Sequence, residues 1–326
     1  MVWRLTMAVA LCAALVWNGS ARAQSQADGF PNRTVKIVVP TAPGGPLDVL
    51  GRLIIERLRE AWGQAVIIEN RPGGALMIGA NTVAKSEPDG YTLLLTNDGP
   101  ITINPNLYKR MPYDPKKELA PITKVVEAPF VLVVNANVPA KTVAEFISLA
   151  KANPGKINYA SGGNTSRLAG ELFRLSAGIE IVNVPYNGSG QAILGVVGGD
   201  VQMMIDGITS SMPYVLSGQL RALGVGTRGR IKELPGVPAV AETLPGYVGT
   251  TWLGLFAAAG TPAGIVDKIQ ATFAKVVQEP ELRERMAKLG MYPVANTPAE
   301  FATFLDADTQ QWERVIRDAK IQKLEE

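Results

Sequence analysis

Two periodicities alternate along this 326-residue chain. Short, strongly apolar β-branched runs stand at Val35 to Val39, Ala65 to Glu69 and Thr92 to Thr96. Between them, Pro46 to Ala61 and Ile78 to Ser86 repeat with helical spacing. In the first of these helices Leu47, Leu50, Ile54, Leu58 and Ala61 recur at three- and four-residue steps, which predicts a single face packed on a sheet. The strands are apolar nearly throughout instead of alternating, the pattern of a parallel sheet covered on both sides.

The pattern then starts again. Phe130 to Val134 predicts a strand, Thr142 to Ala152 a helix capped by Thr142 with Glu145 three residues on, and Ile157 to Ala160 another strand. A helix from Thr165 to Ala177 follows, then strand Ile181 to Val184, helix Ser189 to Val197, and strands Val201 to Ile205 and Leu220 to Val225. Two α/β units in series are the economical interpretation. Beyond a Pro/Gly-rich connection from Leu234 to Gly249, strand Trp252 to Ala258 precedes three helices. Each is predicted to open with a proline at its first position (Pro262, Pro280, Pro298), where the missing N–H costs nothing. This tail completes a lobe and builds no third one.

The N-terminus changes the picture of where the chain works. Arg4 precedes an apolar run from Leu5 to Trp17, a polar break follows, and Ala21-Arg22-Ala23 is the small-x-small pattern of a signal cleavage site. The expectation is a signal peptide over residues 1–23, cut after Ala23, and a periplasmic mature chain beginning at Gln24. The apolar run is too short for a stable membrane anchor. Cys12, the one cysteine, leaves with the signal, which excludes a disulfide, a zinc–thiolate site and a cysteine nucleophile. Loss of Arg4 and Arg22 lowers the formal charge from +3 to +1, and no basic run exceeds two residues, so no nucleic-acid surface is expected. The chain has no histidine at all. Ser-His-Asp and Cys-His chemistry and imidazole-ligated metals are thereby excluded, and no cofactor or metal is expected.

Four strand-to-helix loops could hold a ligand. In "TAPGGPLD" Gly44-Gly45 allow close backbone approach and Pro46 begins a helix whose first N–H groups lack intrahelical partners. The loop lacks the Lys-Ser/Thr of a P-loop and the G-x-G-x-x-G of a dinucleotide fold, so a carboxylate suits it better than a nucleotide. A plain turn, with Asp48 steadying the helix start, is the alternative. Asp48 also opposes a directly bound anion unless its oxygens turn back onto loop amides. "YASGGNTSRLAGELF" repeats the logic with hydroxyls at Ser161, Thr165 and Ser166, although a residue such as either of the last two is more often just an N-cap. "VPYNGSGQAI" puts Gly188-Ser189-Gly190 at a helix start, and in "MMIDGITSSMP" Asp206 could accept from a ligand ammonium or from backbone amides. Ligands of open α/β sheets lie outside the carboxyl ends of strands, so two facing lobes would grip one small anion.

The ordered segments "VPTAPGGPLDVLGRL", "VIIENRPGGALMIGANTVAKSEPDGYTLLL", "INPNLYKRMPYDPKKELAPIT", "NYASGG" with "LAGELF", "VPYNGSGQAI", "GGDVQMMIDG" with "LRALGV", and "LPGVPAVAETLPGY" resemble the extracytoplasmic solute receptors of tripartite tricarboxylate transporters, the Bug or TctC-like proteins. The resemblance covers nearly all of the mature chain. It implies an α/β, two-lobed periplasmic-binding-protein fold of type II-like form, each lobe a mostly parallel sheet flanked by helices, with the ligand cleft between them. The expected division is 24–125 with 226–326 for lobe I and 126–225 for lobe II. It further implies a monomer, not an enzyme, that captures a small carboxylate or amino acid and delivers it to integral membrane transporter subunits. By matching motif, the implied contacts are Ala42, Gly44, Gly45 and Asp48 in the first lobe, and Ser161, Gly162, Thr165, Ser166, Tyr186, Gly188, Ser189 and Asp206 in the second.

The chain departs from the family pattern at Thr41, where Phe is common, at Ile205, where an aromatic is common, and at Arg167, where His is common in a loop one residue longer. Arg167 is therefore a candidate carboxylate partner, with an exposed helix residue as the plainer alternative. Two other functions fit the residues: an extracytoplasmic enzyme using Asp48 and Asp206 as a carboxylate pair, and a ligand-loaded partner of a membrane sensor.

Overall fold

The computed structural model describes residues 29–325. The signal segment, its cleavage site and Cys12 lie outside the described residues. In chain order the main elements are β1 (Val35–Val39), α1 (Pro46–Trp62), β2 (Val66–Asn70), α2 (Met77–Ala84), β3 (Thr92–Asn97) and a long β4 (Leu119–Asn135). Then come α3 (Val143–Ala152), β5 (Ile157–Ser161), α4 (Asn164–Ala177), β6 (Ile181–Pro185), α5 (Ser189–Gly198), β7 (Met203–Gly207), α6 (Ile208–Leu216) and β8 (Leu220–Val225). The tail holds β9 (Thr250–Ala258), α7 (Ala263–Val277), α8 (Pro280–Lys288), the short β10 (Tyr292–Pro293) and α9 (Pro298–Asp318).

The strands form two sheets with one plan. In the first the order is β2-β1-β3-β9-β4, with β1 parallel to both β2 and β3 and β9 antiparallel to its neighbours. In the second the order is β6-β5-β7-β4-β8, with β5 parallel to β6 and β7 and β4 antiparallel to its neighbours. Each sheet thus has an antiparallel strand inserted next to its third parallel one. β4 belongs to both: it pairs with β9 through Pro129 and with β7 from Phe130 onward. The chain returns through Gly226 and Gly249, where Gly226 N–H donates to Phe130 O (2.8 Å), Gly249 N–H to Gly226 O (2.8 Å) and Phe130 N–H to Gly249 O (3.0 Å).

Strand burial follows from the layers. On β1, Val35, Ile37 and Val39 enter the core under α1 while Val38 enters the core under α2, so every second side chain has its own covering layer. α1 buries Leu47, Leu50, Ile54 and Leu58 as its spacing predicts, but Ala61 is exposed. Trp62 closes the face instead, and Gly63, at φ 61°, ends the helix in the left-handed conformation. α9 crosses between the halves: Phe301 packs beside Trp252 and Phe256 of the first sheet, and Trp312, Val315 and Ile316 pack with Phe130, Phe146 and Phe173 of the second.

Some predicted boundaries move. The strand expected at Phe130 to Val134 begins eleven residues earlier, at Leu119. The strand expected at Val201 to Ile205 runs from Met203 to Gly207. Pro280 and Pro298 do open their helices, whereas Pro262 is the residue before α7, extended at φ -54° and ψ 135°. Among the described residues no helix is long and apolar enough to cross a membrane.

Candidate functional site

The loop after β1 is held by a carboxylate turned inward. Gly44 sits at φ 89°, a conformation side chains resist, and this lets its N–H point back to Asp48 Oδ2 at 2.9 Å. The same oxygen accepts from Arg52 Nε at 2.8 Å, and Oδ1 accepts from Asn70 Nδ2 at 3.0 Å, which also donates to Thr41 O at 3.0 Å. Burial alone would raise the Asp48 pKa, but these donors and the Arg52 charge outweigh it and hold the carboxyl below its ordinary value. Asp48 is therefore a staple of the loop. The Gly44 N–H is spent on it, which leaves the N–H groups of Gly45, Leu47 and Asp48 at the opening of α1. Ala42 and Gly44 are exposed, and Gly45 is half-buried. Beside them the Thr41 hydroxyl is buried with no hydrogen-bond partner, 3.6 Å from where a Gly45 Cβ would stand.

Across the molecule three loops form one connected unit at the carboxyl ends of β5, β6 and β7. Ser161 is buried and its Oγ accepts from Asn183 Nδ2 (2.8 Å). Ser166 closes the turn, its Oγ accepting from Gly162 N–H (2.9 Å) and donating to Gly163 O (3.2 Å). Gly162 packs so tightly on the next loop that a Cβ there would stand 2.3 Å from Ser189 N. Tyr186 N–H donates to Ser161 O (2.8 Å), while its ring lies on Gly195 of α5. Gly188, at φ 97°, turns the chain into Ser189, whose hydroxyl reaches Asp206.

Asp206 is buried and accepts from the Ser189 hydroxyl, the Gly207 amide and Ser210 Oγ, the last at 3.0 Å. Burial pushes its pKa up despite these donors. Its acceptor capacity is largely used inside the protein, which disfavours an added ligand ammonium. We expect Asp206→Asn to alter amino-acid and dicarboxylate affinities to a similar extent, by disturbing the Ser189 loop. A loss confined to amino acids in calorimetric titration would show a direct ammonium contact.

The halves meet where Thr165 Oγ1, on the first turn of α4, donates to Asp98 Oδ1 at 2.5 Å, just past β3. Thr251 Oγ1 of β9 donates to Asp98 Oδ2 at 3.0 Å. Alongside, Asn164 Nδ2 donates to Asn104 Oδ1 (2.8 Å), and Asn104 Nδ2 donates to Ala75 O (3.0 Å). Ala75 and Leu76 lie at φ 50° and 72°, left-handed conformations costly for side chains and concentrated at functional sites. Arg167 is half-buried on α4, with its carbonyl accepting from the Tyr159 hydroxyl at 3.3 Å. Its guanidinium forms no ion pair or hydrogen bond among the described residues.

Thirteen residues singled out in the sequence thus separate into one loop on the first half (Ala42, Gly44, Gly45, Asp48), a connected trio of loops on the second, and Arg167, which directly follows Ser166 at the opening of α4. Asp98, Thr251, Asn104 and the Ala75-Leu76 turn lie outside the motifs that mark the site in the sequence. The Gly73-Gly74 pair just before that turn was the signal available for it.

Two sheets of one plan, joined by β4 and the Gly226/Gly249 return, with strand-end loops on both halves, define a two-lobed binding protein of the periplasmic type. Residues 50–321 match the model of the tripartite tricarboxylate transporter family receptor, TctC, and the chain belongs to that family. It is 32% identical over 318 residues to the protein BugT of Bordetella pertussis, covering 96% of this chain and 98% of that one. An adipate-bound protein of R. palustris has the same fold at a TM-score of 0.85, with 34% identity over 90% of this chain and all (100%) of that one. MatC of Rhodopseudomonas palustris, solved with bound malate, matches at 0.80, with 32% identity over 88% of this chain and 100% of that one. The family is one of periplasmic solute receptors, not enzymes.

Proposed function

We propose that this protein captures a small dicarboxylate between its two lobes and delivers it to the membrane subunits of a tripartite tricarboxylate-type transporter. The observation that carries this reading is the pairing of the Gly45 helix opening and the unpartnered Thr41 hydroxyl on one lobe with the interlocked Ser161, Gly162 and Ser189 turns on the other. Amide and hydroxyl donors at helix starts suit carboxylates, and the structural relatives bound to adipate and malate support the same class. The remaining members of the proposed site are Ala42, Gly44, Thr165, Tyr186 and Gly188. Asp48, Ser166 and Asp206 shape the loops from within, and Arg167, next to Ser166 on α4, is the candidate cation of this lobe.

The lobes are proposed as 24–125 with 226–326, and 126–225, and the protein as a periplasmic monomer released by cleavage after Ala23. A ligand bound only to the folded state stabilises it by about 2.7 kcal/mol at a hundredfold excess over Kd. A thermal-shift series of di- and tricarboxylates, aromatic carboxylates and amino acids tests the reading. Upward shifts are expected for dicarboxylates first, and a series in which no carboxylate raises the melting temperature removes it.

A further inference from the structure

Asp98 is the fully buried carboxylate at the one place where the end of β3, the return strand β9 and the first turn of α4 come together. Its two oxygens take hydroxyl donors from opposite halves of the protein, Thr165 from the second and Thr251 from the first. The group sits next to, not in, the proposed solute loops, and neither the sequence motifs nor the proposed capture of a carboxylate uses it. We propose that Asp98 is a proton-coupled latch between the lobes: closure seats its carboxyl against Thr165 in a dry junction, and the lobes close with uptake of a proton at that carboxyl.

The surroundings supply the coupling. The charged group acting on Asp98 from α9 is Asp308, itself buried and accepting from Thr102 Oγ1 (2.6 Å) and Trp252 Nε1 (3.1 Å). From β4 comes Lys124, which acts on Asp308 and is paired with Glu127 at 2.7 Å. α4 and β9 present hydroxyls to Asp98 and no charge. Burial first, and the Asp308 charge second, push Asp98 up to about 7, against the donors Thr165, Thr251 and the Gly99 amide. When the lobes part, Thr165 leaves and water reaches the carboxyl, so its pKa falls back toward the ordinary carboxylate range. The closed state therefore holds the proton more tightly. Closure is fully favoured below the open-state pKa, weakens as pH rises toward about 7, by at most about tenfold per unit, and levels off above it.

The inference rests on the two-lobed reading but not on the identity of the solute, and its test needs none. The only native cysteine, Cys12, departs with the predicted signal, so Ala61→Cys on α1 and Lys151→Cys on α3, both exposed, can carry a spin label on each lobe. Pulsed electron–electron distance measurements on the solute-free protein then count open and closed populations. Between about pH 5 and about pH 8 the closed population is expected to fall several-fold in the labelled protein and to stay level in Asp98→Asn, which keeps the shape but cannot ionise. Thr165→Val, which removes the hydroxyl and leaves the carboxylate, is expected to lower the closed population at both pH values. A closed population in the parent that ignores pH, an Asp98→Asn variant that keeps the parent's pH slope, or a Thr165→Val variant as closed as the parent would overturn the latch. A carboxylate series without a single binder would instead remove the proposed function and leave this result standing.

Discussion

Replacing Gly162 by alanine is expected to abolish solute binding, lowering affinity by at least about a hundredfold, and to cost about 1–3 kcal/mol of stability. The reason is where the new methyl must go. A Cβ at this position stands 2.3 Å from Ser189 N and 2.5 Å from both Gly188 C and Ser189 Cα. These are backbone atoms of a second loop, which cannot swing aside as a side chain tip can. The turn after β5 must then part from the turn after β6, which withdraws Ser189 from Asp206 and breaks up the trio of loops on the second lobe. Titration calorimetry with the dicarboxylate giving the largest thermal shift, alongside urea unfolding, reads both effects. Affinity within twofold of the parent would show that this loop contact does not shape the site.

Gly226→Ala is expected to be the most damaging alanine replacement among the described glycines, destabilising by about 3 kcal/mol or more. Its Cβ would lie 1.9 Å from Gly249 O, the oxygen that accepts from Phe130 N–H. Gly226 also donates to Phe130 and accepts from Gly249, so one methyl disrupts all three hydrogen bonds lacing the crossing between the lobes. Gly236→Ala is the matched control. It lies in the same connection with nothing within 4 Å of its Cβ position, and its cost is expected to stay within about 0.5 kcal/mol. Urea midpoints of the two variants give the comparison, and equal midpoints would mean the crossing is not under the constraint inferred.

Much of the architecture was legible because burial on both sheet faces leaves a strong mark. β1 and β8 appear at their predicted limits, and Leu47, Leu50, Ile54 and Leu58 face the core as their spacing requires. Only the second half of β4 is legible in the sequence, for a physical reason. Pro121, Lys124, Glu127 and Pro129 interrupt its first half, and the strand accommodates this through register shifts at Pro121/Thr123 and Lys124/Val126. α6 was hidden by Pro213 within it.

The Gly-rich loops were visible as strand-to-helix turns, since Gly44 and Gly188 do take conformations that favour glycine. What those loops face was not visible. Asp48 could be a ligand contact or a loop staple, and only the positions of Gly44, Arg52 and Asn70 around it distinguish the two. Asp98 meets Thr165 from 67 residues away and Thr251 from 153, and no local pattern records such pairings. The amphipathic spacing of α4 likewise says which residues go inward, but not that its first turn reaches across to the other lobe.

The central claim is that uncharged donors at facing strand ends, backbone amides above all, take hold of the solute. A crystal structure grown with the tightest-binding dicarboxylate tests it most directly. The account predicts one carboxylate within hydrogen-bonding reach of the Gly45 helix opening or Thr41, and the other against the Ser161–Gly162 and Ser189 turns. A dicarboxylate held by side-chain cations alone, or lodged away from both lobes' loops, would contradict it.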